Sequence, residues 1–82
     1  MSEYEQDAFF CLATAAFAEA DEAASAGQVA NMMGAPACVV GGALARLVRR
    51  GYLEVVTPKG VRRYGLTAQG RDFAEAGDAM LS

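Results

Sequence analysis

The apolar positions run at helical spacing to about residue 50, switch to strand-like alternation, and return to helical spacing after residue 67. Phe9, Leu12, Ala13, Ala16, Phe17 and Ala20 share one face of a first helix over about Ser2–Ala20, with Phe10 at its edge. Ser2 is its expected N-cap, and Glu3, Glu5 and Asp7 suit the positive end of the helix dipole. Its other side carries Tyr4, Cys11, Ala15 and Ala18, small and apolar enough to receive another helix. Residues 21–26 read as a connection. Ser25 caps a short second helix over about 26–33, with Val29, Ala30 and Met33 facing in, and Gly34 stops it. Pro36 stands in the expected first turn of a third helix, which carries Val40, Leu44, Leu47 and Val48 inward and ends at Gly51.

Tyr52-Leu53-Glu54-Val55-Val56-Thr57 is rich in strand formers, Thr57-Pro58-Lys59-Gly60 is a turn, and Val61–Leu66 is the return strand. Alternation places Arg62, Tyr64 and Leu66 on one face and Val61 and Arg63 on the other. The expectation is therefore a two-stranded hairpin. Thr67 caps a last helix over about 68–80, with Phe73, Ala76, Gly77, Met80 and Leu81 along one stripe.

With 82 residues the chain forms one domain, here 1–82. Two cysteines and no histidine exclude a His-based triad and most zinc sites, and free thiols suit a reducing compartment. No apolar run reaches the ~20 residues of a membrane span. The most apolar run follows Glu3, Glu5 and Asp7, where a secretory signal needs positive charge, so the expected location is the cytoplasm, without membrane association. Net charge is −3, but it is segregated: residues 1–45 carry −6, residues 46–71 carry all seven bases and sum to +6, and the remainder carries −3. Because screening confines each charge to about 8 Å at physiological salt, the basic segment acts independently of the total.

A short helix, a glycine-bearing turn and a second helix form a helix-turn-helix pattern, and a basic hairpin follows directly. The runs "SAGQVANMMGAP", "VVGGALARLVRRGYLEVV" and "KGVRRYGLTAQG", over Ser25–Gly70, resemble a winged helix-turn-helix domain of bacterial and archaeal transcription regulators. Tyr64-Gly65-Leu66-Thr67-Ala68-Gln69-Gly70 is similar to the end of the wing in MarR-like and PadR-like families, where Leu-Thr-x-x-Gly leads into a dimerisation helix. The resemblance implies a mainly α fold with a small two-stranded β-hairpin. The helix-turn-helix is then about 25–51, the wing about 52–66 and the C-terminal helix about 67–81. It also implies double-stranded DNA as partner, with the third helix in the major groove and wing bases on phosphates.

Carried over position by position, the groove-facing residues are Ala37, Cys38, Val39, Gly41, Gly42 and Ala45, and the phosphate contacts are Arg46, Arg49, Arg50, Lys59, Arg62 and Arg63. The groove positions depart from the family pattern, because bases are read by hydrogen bonds and none of these side chains is a strong donor or acceptor. Gly41-Gly42 is costly inside a helix, at about 0.8–1.0 kcal/mol each relative to alanine. A helix face bare at that point permits close approach of a DNA backbone or a protein.

Two functions are consistent with this reading. One is a small DNA-binding transcriptional regulator with weak direct base readout. The other is a winged-helix accessory module that binds a protein and not DNA. A homodimer through the first and last helices is expected, since both carry more apolar surface than so small a core absorbs. No nucleophile–base pair or phosphate-cradling loop is present, so neither an enzyme nor a cofactor is expected.

Overall fold

The computed structural model describes residues 2–18 and 23–81, without the side chains of Pro58 and 78–81. The elements are α1 (Glu3–Ala18), β1 (Ala23–Ala24), α2 (Ala26–Met33), α3 (Ala37–Arg49), β2 (Leu53–Val56), a 3₁₀ turn (Pro58–Gly60), β3 (Arg63–Leu66) and α4 (Ala68–Leu81). The fold is thus mainly helical with a small antiparallel sheet.

Local chemistry fixes most boundaries. The Glu5 N–H donates to Ser2 Oγ at 3.2 Å, so Ser2 caps α1. Ser25 caps α2 through a full capping box: the Gln28 N–H donates to Ser25 Oγ at 3.2 Å, and the Ser25 N–H donates to Gln28 Oε1 at 2.9 Å. Gly34, at φ 66°, ends α2 in the left-handed conformation. Pro36 is the N-cap of α3 rather than a residue of its first turn. Gly51, at φ 87°, ends α3, with the Tyr52 N–H donating to the Leu47 carbonyl. Thr67 Oγ1 accepts from the Gly70 N–H at 3.1 Å and donates to the Gly51 carbonyl, tying the start of α4 to the end of α3.

The sheet corrects the expected two-stranded hairpin. It has three strands in the order β1-β3-β2, all antiparallel. Ala23 pairs with Gly65 and Ala24 with Tyr64, within the stretch the sequence presents as a connection. Two alanines have no strand propensity of their own; they are held because β3 offers an open edge and α1 covers them completely. The β2–β3 ladder runs from Leu53–Leu66 to Val56–Arg63, so Val61 and Arg62 lie outside it.

Phe9, Leu12, Val29, Val40, Leu44, Leu47 and Leu53 are fully buried between the helices and the sheet. Phe9, Phe10, Tyr52 and Phe73 form a ring cluster, with neighbouring centroids 5.3–6.0 Å apart, that docks α4 onto α1. Gly70 and Gly77 permit that docking: a Cβ at Gly70 would fall 2.0 Å from the Tyr52 carbonyl oxygen, and one at Gly77 2.7 Å from the Phe10 ring.

Two core expectations are corrected. Phe17 is 55% exposed: the buried stripe of α1 runs through Glu5, Ala8, Phe9, Leu12, Ala13 and Ala16, and Phe17 lies outside its Ala13 edge, about 100° beyond Ala16. Ala76 is exposed, and Ala74 is buried in its place. Ala20 and the side chains of Met80 and Leu81 lie outside the described residues. No single helix among the described residues is long and apolar enough to cross a membrane.

Candidate nucleic-acid interface

Helices α2 and α3 turn through 115° across their three-residue break. With Val40, Ala43, Leu44 and Leu47 buried, the opposite stripe of α3 runs through Cys38, Gly42, Ala45 and Arg49. Val39 and Arg46 flank it on one side, and Gly41 and Val48 on the other. All of these are exposed except Gly41 and Val48, which are half-buried. An ideal Cβ at Gly41 or Gly42 would meet no atom within 4 Å, so nothing within the chain's own packing requires glycine there.

Two of the arginines expected on phosphate are already engaged. Glu5 of α1 is buried, at 6% exposure, and its carboxylate lies against the last turn of α3. Arg46 Nε donates to Glu5 Oε1 at 3.1 Å. Arg50 Nη1 stands 3.3 Å from Glu5 Oε2, an ion pair without hydrogen-bond alignment. The arginine side chains remain about half exposed, so the carboxylate orders one side of each guanidinium and leaves the other to solvent. Nothing local marks this triad, since Glu5 reads as an ordinary helix-start acid and its partners lie over forty residues away.

On the hairpin, Lys59 takes φ 55° and Gly60 φ 79°, so the tip is built from two left-handed residues, one of them not glycine. Lys59 and Arg62 are exposed. Arg63 is half-buried, and its Nη1 donates to the Ala23 carbonyl at 3.4 Å, bracing β1 against β3. That contact uses one of the five N–H donors of the guanidinium. Arg49, Lys59 and Arg62 are the cations of the expected set that have no protein partner among the described residues. Val39, Val55, Val56 and Val61 are large apolar side chains exposed on α3, β2 and the hairpin turn.

A separate cleft of about 370 Å³ lies between α1 and the last turn of α2, lined by Asp7, Phe10, Cys11, Thr14, Met32 and Met33. Partial burial, and secondarily the Asp7 carboxylate, push the Cys11 thiol above its ordinary pKa. Cys38 is exposed on α3. Among the described residues no three His, Cys, Asp or Glu side chains cluster as metal ligands. No protein-family model, no curated protein and no solved structure matches this chain.

Proposed function

We propose that this chain is a winged helix-turn-helix module that binds double-stranded DNA as a small transcriptional regulator. One observation carries the reading: the exposed stripe of α3 ends in Arg49, the hairpin carries Lys59 and Arg62, and these three cations have no partner among the described residues. The 115° turn between α2 and α3 lies in the range that helix-turn-helix pairs adopt. In this reading α3 seats its bare stripe in the major groove, where glycine and alanine let the backbone come close. Val39 and Ala45 offer apolar contact to thymine methyls, and sequence preference comes mainly from DNA shape. Arg46 and Arg50 serve as secondary phosphate contacts, held in place by Glu5. Two copies paired through α1 and α4, with Phe17 in the seam, set two such faces along one duplex.

The test is fluorescence anisotropy with random-sequence duplex at about 50 and 200 mM salt. Three phosphate contacts give a log–log slope near −2.7 for one protomer and near −5.4 for a pair, which is roughly 40-fold and roughly 2,000-fold over that range. Replacing Lys59 and Arg62 together by alanine should weaken binding about equally for all sequences. Salt-independent affinity contradicts the proposal.

The absence of any strong hydrogen-bonding side chain on the α3 stripe before Arg46 favours a second reading, a module that docks a protein on that face. Failure to bind duplex at low salt, together with loss of protein binding in a folded Gly41→Glu variant, selects it.

A further inference from the structure

Four sulfur-bearing side chains stand among the described residues, and three of them, Cys11, Met32 and Met33, line one cleft. Asp7 and Cys11 lie one turn apart on α1, and the two methionines form the last turn of α2. No cationic side chain lines the cleft, and Asp7 has no ion-pair partner among the described residues. Cys11 and Met33 are half-buried, whereas Met32 is 48% exposed, so the cleft is open to solvent on the Met32 side.

Thioether sulfur is neutral and polarizable. It competes poorly with water for hard cations and well for soft ones, and a thiolate beside thioethers selects copper(I) among biological metals. A set of one thiol and two thioethers is therefore chemically distinct from the His, Cys and carboxylate clusters of zinc or iron, which the described residues do not form.

We propose that this cleft is a binding site for a soft monovalent d¹⁰ cation, copper(I), ligated by the Cys11 thiolate and the Met32 and Met33 thioethers, with Asp7 supplying negative charge at its mouth. On binding, the cation replaces the Cys11 thiol proton, which passes to solvent, and no electron is transferred. The inference does not rest on duplex binding. It places the cation across the contact between α1 and α2, so occupancy ties these two helices together.

The competing explanation for the methionines is plain gap-filling, because methionine packs irregular apolar surface well. Leucine preserves apolar packing and removes the sulfur, so Met→Leu substitutions separate the two. The experiment is anaerobic titration of the full chain with copper(I) against a chromogenic copper(I) chelator. A Cys38→Ser background removes the exposed thiol. One copper(I) per chain is expected, with Met32→Leu and Met33→Leu each weakening affinity about tenfold or more and Cys11→Ser abolishing competition with the chelator. The leucine variants should keep the parent's far-ultraviolet circular dichroism and melting temperature. Should Cys11→Ser not fold, the leucine variants alone decide. Unchanged copper(I) affinity in both leucine variants, or no competition with the chelator by the parent protein, overturns the proposal.

Discussion

Replacing Gly41 and Gly42 together by alanine should stabilise the protein substantially. Both glycines lie inside α3, and neither has positive φ, so alanine fits the backbone at both positions. A Cβ at either meets no atom within 4 Å, so no steric penalty offsets the gain in helix propensity. That gain is about 0.8–1.0 kcal/mol per position, or about 1.6–2.0 kcal/mol for the pair. For a chain of 82 residues the unfolding entropy is roughly 0.17 kcal/mol/K, so the melting temperature should rise by about 10 °C. Differential scanning calorimetry measures this directly, and urea unfolding should show a higher midpoint at unchanged slope. If a duplex or protein backbone seats on this face, the two methyl groups overpack the contact. Overpacking costs about 1–3 kcal/mol, so affinity should fall about five- to 150-fold while stability rises. A melting temperature that stays level or falls would refute the reasoning, since it would mean that the chain itself needs the bare surface.

Glu5→Gln removes a buried carboxylate that orders two half-exposed arginines, and should cost about 1–2 kcal/mol, read as a lower urea midpoint; the partners' exposure keeps the loss below that of a fully buried pair. Gly70→Ala should destabilise far more, by about 3 kcal/mol or greater, because the new Cβ meets backbone at Tyr52 that no rotamer change can clear; a thermal melt within a few degrees of the parent would contradict the packing of α4. Lys59→Asn places a residue tolerant of the left-handed conformation at the hairpin tip, so stability should hold or rise by about 0.5 kcal/mol while duplex affinity falls by one phosphate contact, which calorimetry and anisotropy measured on the same sample would test.

The sequence by itself determined the elements whose causes are local. Ser2, Ser25 and Thr67 each satisfy backbone donors within three residues, and Gly34 and Gly51 stop their helices because left-handed backbone is cheap for glycine. Hydrophobic spacing likewise selected Val40, Leu44 and Leu47 as the buried face of α3, and so left Cys38, Val39, Gly42, Ala45 and Arg49 outward. Whatever depends on partners distant in the chain was decided by the tertiary structure alone. Ala23–Ala24 becomes a strand only because β3 and α1 enclose it, and Phe17 turns outward because α1 rotates its stripe toward Glu5. Arg46 and Arg50 read as free cations until α1 brings the Glu5 carboxylate against them, and Arg63 until the Ala23 carbonyl reaches it. Residue type and spacing report the charge of a side chain, whereas its availability to a partner depends on which backbone and side-chain groups the completed fold places beside it.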